Sequence, residues 1–262
     1  MAQSPSISVV FPAWNEEDYA ERAVSRALAV LTRVTDDFEI IVVDDASTDR
    51  TFEICQRLVR RHGAVRLFRH DVNQKLGGAL KTGFGAATKE VIVYSDIDLP
   101  WDLDELERAI HLMDYLEADM ICAFRLDRTS EGPRRIAYSY AYNLLIRALF
   151  GVQVKDVNFS FKVFHRRVLE AVELKSTGSF IDAELVVKAI RQGFRVFQMG
   201  VDYFPRTRGV STLASPAVIA KMLKELAVFY RETKHSPRAS RPIRSPSTPV
   251  VPVEVARKIH RG

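Results

Sequence analysis

The sequence predicts an α/β protein whose doubly wound, mostly parallel β-sheet is flanked by helices. Short β-branched segments alternate with longer amphipathic segments along the first two-thirds of the chain, as expected for strand–helix crossover units. Residues 39–43 form a nearly continuous apolar run, typical of a strand buried on both faces of a parallel sheet. A chain of 262 residues with 47% hydrophobic and 27% charged residues is globular, which excludes collagen, coiled coil and wholesale disorder.

The first part of the chain, about residues 6–125, supplies most of the predicted strands. A strand at 7–11 leads into a helix that starts at Asn15, because the acidic residues that follow favour the positive end of a helix. Residues 47–49 (STD) are predicted to cap a helix that runs to about residue 61. The remaining predictions are strands at 65–68, 90–94 and 120–124, with helices near 76–87 and 102–116.

After Arg125 the pattern changes, with a loop rich in Arg, Asp, Ser, Gly and Pro. The predicted elements are a helix near 135–150, a strand at 159–164, a helix at 182–192, an extended segment at 194–203 and a final helix at 215–233. Pro216 suits the first turn of that last helix. We interpret residues 126–234 as an elaboration packed on the first part, which makes residues 1–234 one predicted domain.

Residues 235–262 form a basic, proline-rich tail that we predict to be disordered. The tail has six basic residues and one acidic residue, which accounts for the whole net charge of +5. Because the rest of the chain is neutral, the basic balance implies no folded basic face, and we expect no nucleic-acid partner. Such a tail either contacts an anionic membrane or is simply solvated.

Cysteine content and hydropathy exclude several classes of protein. Cys55 and Cys122 are too few for a disulfide scaffold or a structural zinc site. No apolar run approaches the roughly 18 to 20 residues that span a bilayer, and the N-terminus lacks a leader-like core. These features predict a cytoplasmic enzyme.

Suggestive groups follow three of the predicted strands. Residues 12–16 (PAWNE) combine a rigid turn with an aromatic ring, and Asp44–Asp45 ends the second strand. Asp96 and Asp98 follow the strand at 90–94, and two such carboxylates repel unless a cation lies between them. Hard oxygen ligands suit Mg²⁺ or Mn²⁺, with substrate phosphates completing the shell.

Each of these groups alone has an ordinary explanation. An Asp-x-Asp triplet is often a solvated turn, and an Asp pair after a strand often caps the next helix. The carboxyl ends of neighbouring parallel strands share one edge of a sheet, however, and ligands of open α/β sheets bind there. Together, the three groups predict one binding crevice.

The motifs ISVVFPAWNEE, EIIVVDDASTDRT, the stretch 73–85, YSDID and RTRGVS occur in an order and spacing that resemble one family. Over roughly residues 6–213 the chain resembles the family-two glycosyltransferases of GT-A fold, and among them the dolichyl- or polyprenyl-phosphate sugar transferases. The resemblance implies a nucleotide-binding half followed by an acceptor half. It also implies transfer of a hexose from a GDP- or UDP-sugar with inversion, and Mn²⁺ or Mg²⁺ as cofactor.

The resemblance also assigns site residues. It places the nucleotide sugar against Pro12, Trp14, Glu16, Val43, Asp45 and Ile97. It places the metal and diphosphate on Asp96 and Asp98, and a phosphate on Arg125 and Arg206. The sequence departs from the family pattern at Lys75, Pro100, Ser160 and Thr212, which stand where glycine, glutamine, glycine and lysine are usual.

The acceptor decides which further residues the chemistry needs. A hydroxyl acceptor requires a base, for which Asp182 and Glu184 are the predicted residues, although an ordinary charge at a helix start explains Asp182 equally well. A lipid phosphate is already anionic and requires none. In that case Arg125, Arg134 and Lys162 become predicted phosphate contacts, together with the loop arginines Arg128 and Arg135 if these are not merely solvated.

The sequence leaves two alternative functions undecided, as well as the role of one apolar set of residues. A sugar nucleotidyltransferase usually has a glycine-rich, Arg-containing loop where this chain has PAWNEE, and a decayed, non-catalytic binding protein would have lost the acidic residues. In the helix near 135–150, Tyr140 and Leu144 belong to an apolar set that a lipid acceptor could contact, but core packing is the favoured interpretation.

Overall fold

The computed structural model describes residues 4–129, 131–205 and 216–234. The strands are β1 (Ile7–Ala13), β2 (Phe38–Asp44), β3 (Val65–Arg69), β4 (Val91–Tyr94), β5 (Met120–Arg125), β6 (Lys162–His165) and β7 (Val196–Val201). The helices are α1 (Ala20–Val34), α2 (Thr51–Arg61), α3 (Lys75–Ala86), α4 (Glu105–Tyr115), α5 (Pro133–Phe150), α6 (Arg166–Ala171), α7 (Ile181–Arg191) and α8 (Pro216–Thr233).

All seven strands form one sheet in the order β3-β2-β1-β4-β6-β5-β7. Only β6 is antiparallel; it lies between β4 and β5, where Tyr94 and Cys122 both pair with Lys162. The predicted α/β class with a mostly parallel sheet is therefore confirmed. Strands from both sides of the predicted division at residue 125 belong to this sheet, so the two halves share a core.

The core consists of two apolar layers, one on each face of the sheet. Helices α1, α2 and α4 cover one face, and α3, α5, α7 and α8 cover the other. Alternate residues of β2 point into different layers: Ile40 and Val42 into the first, Ile41 and Val43 into the second. This arrangement explains the continuous apolar run of β2, because a central strand with both faces covered needs apolar residues at every position.

Two local predictions were wrong, and one short helix was missed. Helix α1 begins at Ala20 and not at Asn15, whose φ of 56° is left-handed and cannot start a right-handed helix. Strand β6 begins at Lys162, three residues later than predicted. The six-residue helix α6 was not predicted, because it lacks the several turns that make a helical period visible.

The two cysteines are free and buried, and burial raises the pKa of each thiol to about 12. No helix in the described part of the chain is both long and apolar enough to cross a membrane. Predictions for the tail at 235–262 and for the RTRGVS motif, including Arg206 and Thr212, fall outside the described residues.

Candidate functional site

The loops that follow β1 and β2 are joined by hydrogen bonds at the carboxyl edge of the sheet. The backbone N–H of Asn15 donates to Ser47 Oγ (2.9 Å), and that of Glu16 donates to Thr51 Oγ1 (2.7 Å). In return, Asn15 Oδ1 accepts from the backbone N–H of Thr48 (2.8 Å). Ser47 and Thr48 therefore connect two strand ends, whereas we had predicted them to cap α2.

Asp45 connects these loops to the loop that follows β3. Its Oδ1 accepts from the backbone N–H of Gln74 (2.7 Å) and lies 2.7 Å from His70 Nδ1. The amide of Asn73 donates to the Asp45 carbonyl (3.1 Å). No role had been predicted for His70; its position immediately after β3, within a run of polar residues, was the available signal.

Trp14 and Lys75 face each other at the open side of these loops. The Trp14 side chain is 45% exposed, and the Lys75 ammonium lies 6.0 Å from its ring centroid. Lys75 has a φ of 66°, a conformation that favours glycine, and the family pattern has glycine at this position. A non-glycine residue held there costs roughly 1–3 kcal/mol, and such strain clusters at functional sites.

Asp96 and Asp98 lie in a turn immediately after β4. The backbone N–H of Leu99 donates to the Asp96 carbonyl (3.3 Å), and Leu99 has a φ of 53°. The buried Trp101 holds the start of the turn, since its Nε1 donates to Ser95 Oγ (3.0 Å). Since the chain has left the strand at this point, the alternation of side chains that would separate two such carboxylates no longer applies.

Asp96 lies in an acidic environment. Burial raises the pKa of its carboxyl group to about 7, and the negative charges of Asp98 and Asp182 add to this shift. Lys162 offsets it in part, and the Tyr94 hydroxyl lies 3.4 Å from Asp96 Oδ1. The structure therefore brings Asp96, Asp98 and Asp182 into electrostatic contact, and a bound cation would relieve their repulsion.

Asp96 and Asp98 supply oxygen ligands of the kind that a divalent cation prefers, but they are only part of a complete ligand set. Among residues 4–129, 131–205 and 216–234, no group of three or more His, Cys, Asp or Glu side chains is arranged to hold a metal ion. Mg²⁺ and Mn²⁺ are commonly held by one or two carboxylates together with substrate phosphates. The two residues fit that mode of binding.

Lys162 and Asp182 form a buried ion pair beneath this turn. Lys162 is fully buried, and its Nζ donates to Asp182 Oδ1 (2.5 Å) and to the Phe159 carbonyl (2.7 Å). Burial raises the pKa of Asp182, against the opposing effect of Lys162. The predicted contact of Lys162 with an acceptor phosphate is contradicted, because its ammonium is enclosed and bound within the protein.

Arg125, at the end of β5, is held by two buried acids. Its guanidinium donates from Nε and Nη2 to Asp156 (2.7 and 2.9 Å) and from Nη1 to Glu131 (2.6 Å). Burial alone would lower the pKa of Arg125, but these partners raise it above its usual value. Glu131 also binds Arg128 (2.8 Å) and Arg135 (3.0 Å). A phosphate at Arg125 would have to compete with both carboxylates.

Glu184 is engaged in structural hydrogen bonds. Its carboxylate accepts from the backbone N–H groups of Lys175 (3.0 Å) and Ser176 (2.8 Å) and from Lys188 Nζ (2.6 Å). Burial would raise its pKa, but these donors lower it. This placement argues against the predicted role of Glu184 as a catalytic base, because a base needs a free lone pair that faces the acceptor.

The remaining predicted residues lie on or beside the same edge. Pro12 pairs with Val43 in the register of β1 and β2, one residue before Ala13 and Asp44. Ile97 is buried between the two aspartates of the turn, whereas Arg134 is exposed on the first turn of α5.

Solved structures with similar folds share this architecture. A crystal structure of a mycobacterial protein aligns with a TM-score of 0.64 and 22% identity, covering 85% of this chain and 75% of that one. Glucosyl-3-phosphoglycerate synthase from Mycobacterium tuberculosis, in complex with Mn²⁺, UDP-glucose and phosphoglyceric acid, aligns with a TM-score of 0.61 and 20% identity, covering 85% and 80%. The fold is GT-A.

Curated relatives point to the same family. Glycosyltransferase AglD of Haloferax volcanii is 34% identical over 212 residues, which is 78% of this chain but only 34% of AglD. Dodecaprenyl-phosphate galacturonate synthase of Rhizobium johnstonii is 28% identical over 87% of this chain and 68% of its own length. Polyprenol monophosphomannose synthase of Mycolicibacterium smegmatis is 27% identical over 82% and 84%.

The family profile of glycosyl transferase family 2 matches residues 8–173, which include all but the first residue of β1, strands β2 to β6 and the turn that carries Asp96 and Asp98. This match covers well over half of the chain. The protein therefore belongs to glycosyl transferase family 2.

Proposed function

We propose that this protein is a metal-dependent, inverting glycosyltransferase that moves a hexose from a nucleoside-diphosphate sugar to a polyprenyl phosphate. The observation that carries the proposal is the crevice itself. Asp96 and Asp98 share one sheet edge with the joined loops of Trp14 and Asp45, where GT-A proteins bind their donors. The names of the Rhizobium and Mycolicibacterium relatives support a polyprenyl-phosphate acceptor.

The nucleoside of the donor binds between the first two loops. Trp14 offers an exposed ring for stacking on a flat base, and Pro12 and Glu16 lie beside it. Val43 pairs with Pro12 in the sheet and supports this loop from the core. Asp45 is held by His70 and the Gln74 N–H, so its carboxylate has one fixed orientation. Hydrogen bonds from a base or ribose therefore meet a preorganised acceptor.

The diphosphate binds at the turn after β4. Asp96 and Asp98 would hold Mn²⁺ or Mg²⁺ there, with Ile97 fixing the turn from the core side. When bound, the cation supplies Lewis-acid stabilisation of the negative charge that develops on the departing nucleoside diphosphate. The Mn²⁺–UDP complex of the mycobacterial synthase supports Mn²⁺ as the first ion to test.

The acceptor approaches the anomeric carbon from the face opposite the diphosphate, which gives inversion. An acceptor phosphate brings its own negative charge, so its attack needs no protein base. Asp182 then serves to hold Lys162 beneath the acidic turn, where the ammonium limits the repulsion between carboxylates. Arg134 and Arg206 are the proposed phosphate contacts, since the cation of Arg125 is already paired.

A polyprenyl phosphate lies in a bilayer, so we place the working enzyme at the inner face of a membrane. The basic segment 235–262 would contribute attraction to anionic lipids, at about 1 kcal/mol for each charge near the surface. Both binding energy and orientation would then depend on salt.

A donor panel tests the proposed function. The full chain is incubated with UDP- and GDP-sugars and a polyprenyl phosphate, with Mn²⁺ or with a chelator, and nucleoside-diphosphate release and the glycolipid are measured. We expect one donor to give both products, only with the metal. In a parallel incubation with a nucleoside triphosphate and a sugar 1-phosphate, release of pyrophosphate would instead identify a sugar nucleotidyltransferase. Donor binding without release of any product would identify a binding protein.

A further inference from the structure

Helix α5 exposes a surface of unusual composition. After Pro133, its solvent-facing residues are Arg134, Ala137, Tyr138, Tyr140, Ala141, Leu144, Arg147 and Ala148, which we call the α5 face. Tyr138, Tyr140 and Leu144 are 60%, 69% and 54% exposed. This set includes no acidic and no amide side chain. Exposed apolar surface of this kind marks a site of interaction.

The exposure follows from the helical period. One side of the helix packs against the core, where four residues are buried: Tyr142, Asn143, Ile146 and Phe150. At 3.6 residues per turn, the α5 face occupies the opposite side. The expectation that this apolar set packs in the core is therefore wrong for Tyr140 and Leu144.

The charges around the α5 face are positive. Helix α5 contains Arg134, Arg135 and Arg147 and no acidic residue. Beyond its C-terminal end, Arg147 and Lys155 line a cavity of about 440 Å³ together with Gln153 and Gln198. The two cations favour a phosphate-bearing headgroup in this cavity. The Gln198 amide is already engaged, since it donates to the Gln153 carbonyl (2.8 Å) and accepts from the Lys155 N–H (2.7 Å).

The α5 face begins beside the proposed active site. Glu131, two residues before α5, binds both Arg125 at the end of β5 (2.6 Å) and Arg135 in the first turn of α5 (3.0 Å). These contacts tie the start of the helix to the sheet edge that carries Asp96. A ligand on the α5 face would therefore lie next to the crevice.

We propose that the α5 face docks on an anionic lipid bilayer, with its tyrosines and Leu144 in the interfacial layer and a lipid phosphate beside Arg147 and Lys155. The functional meaning of this orientation rests on the proposed polyprenyl-phosphate acceptor. Tyrosine at the level of the headgroups and arginine near the phosphates are the side chains that such a layer favours. Antiparallel pairing with a second copy would bring Arg134 against Arg147, which like-charge repulsion opposes.

Vesicle binding tests this inference separately from catalysis. The full chain is sedimented with phosphatidylcholine vesicles and with vesicles that contain about 30% phosphatidylglycerol, at low salt and at about 0.5 M NaCl, where surface electrostatics are screened. We expect binding to the anionic vesicles that survives in part at high salt, because apolar side chains hold it. A purely electrostatic tail would be released.

The variant that tests the surface is the double substitution Tyr138→Ser and Leu144→Ser. We expect its partition coefficient at high salt to fall by about tenfold, since two apolar side chains no longer leave water. The matched control is Tyr115→Ser, which removes a tyrosine that is 80% exposed at the end of α4, a helix on the other face of the sheet. It should bind vesicles as the wild type does.

Three results would overturn the inference: no binding to anionic vesicles, equal binding of the double variant and the wild type, or a dimer in solution that the double variant abolishes. Thermal unfolding and Mn²⁺-dependent nucleotide binding without vesicles are measured on every variant. Normal values show that the fold and the crevice are intact, so failure of docking is distinguished from failure of the proposed function.

Discussion

Glu39 and Asp96 are buried carboxylates at opposite edges of the same sheet, and their pKa values are shifted in opposite directions. At the amino edge, Glu39 accepts hydrogen bonds from Ser8 Oγ (2.7 Å), from the Thr88 backbone N–H (2.7 Å) and from Arg66 (2.5 Å). Burial would raise its pKa, but these donors lower it below the usual value. The charge of Glu39 is therefore a component of the folded structure.

At the carboxyl edge, Asp96 has the opposite surroundings. Burial and the neighbouring charges of Asp98 and Asp182 raise its pKa to about 7, and the Tyr94 hydroxyl is a distant donor at 3.4 Å. Ser160 and Lys162 offset this shift only in part, so the pKa stays raised. At the amino edge the buried charge is stabilised by donors of the fold, whereas at the carboxyl edge the neighbouring carboxylates repel, as expected if a cation binds there.

The largest expected effect is on turnover at the carboxyl edge. Replacement of Asp98 by Ala should reduce metal-stimulated transfer by about 10³-fold or more, since several kcal/mol of charge stabilisation are lost with the cation. Steady-state rates with and without Mn²⁺ measure this. Asp114→Ala, on the exposed side of α4, is the control and should keep wild-type turnover. Full activity of the Asp98 variant would contradict a metal site at this turn.

The amino edge should show the largest effect on stability. Glu39→Gln should lower the free energy of unfolding at pH 7 by about 2–3 kcal/mol, because a hydrogen-bonded buried charge is lost. Since the folded pKa of Glu39 is lowered, its contribution is present above pH 4.5 and disappears as the pH falls through the folded value. Urea denaturation at several pH values measures both effects.

The control for that experiment is Glu53→Gln, a surface residue whose side chain is 67% exposed and lies 3.9 Å from Arg50. Its loss should change the free energy of unfolding by less than about 0.5 kcal/mol. Equal effects at Glu39 and Glu53 would remove the distinction between a structural and a surface carboxylate.

Substitution of Asp96 should change the free energy of unfolding in the direction opposite to substitution of Glu39. Without metal, Asp96→Asn should raise the free energy of unfolding at pH 8 by about 1–2 kcal/mol, because the raised pKa makes the ionised form unfavourable in the fold. The gain should shrink as the pH falls below 7 and vanish only below the ordinary pKa of 3.8, where Asp96 is protonated in both states. A loss of stability at pH 8 would contradict the account of this edge.

The smallest expected effects are at Lys75. Lys75→Gly should relieve the left-handed backbone and stabilise the protein by about 0.5–1 kcal/mol, while the donor KM rises by about fivefold as the ammonium beside Trp14 is lost. Lys75→Ala keeps the backbone strain and should raise KM without stabilisation. An unchanged KM in both variants would leave Lys75 with no part in donor binding.

Periodicity was enough to predict most of the fold. The doubly wound sheet follows from apolar runs such as that of β2, and the convergence of the loops after β1, β2 and β4 follows from the rule that parallel strands end at one edge. The antiparallel insertion of β6 was beyond such reasoning, because strand order depends on long-range pairing that local pattern does not encode.

The position of the candidate site was easier to predict than its contacts. Asp45, Asp96 and Asp98 were singled out because acidic residues after buried strands are visible in sequence, and the structure places them at one edge of the sheet, while their roles stay predictions. The enclosure of Lys162 by Asp182 was missed, since a lysine in a chain pattern looks the same whether it is paired or exposed. The contact of His70 with Asp45 was missed because it joins the loops that follow two different strands, which local pattern does not connect.

The most direct test is calorimetric titration of UDP and GDP into the protein with and without Mn²⁺, on the wild type and on Asp98→Asn. We predict that Mn²⁺ tightens binding of one nucleotide by at least about tenfold in the wild type and does nothing in the variant, because the cation links the carboxylates to the diphosphate. Equal enhancement by Mn²⁺ in both proteins, or nucleotide binding that never depends on the metal, would contradict the account.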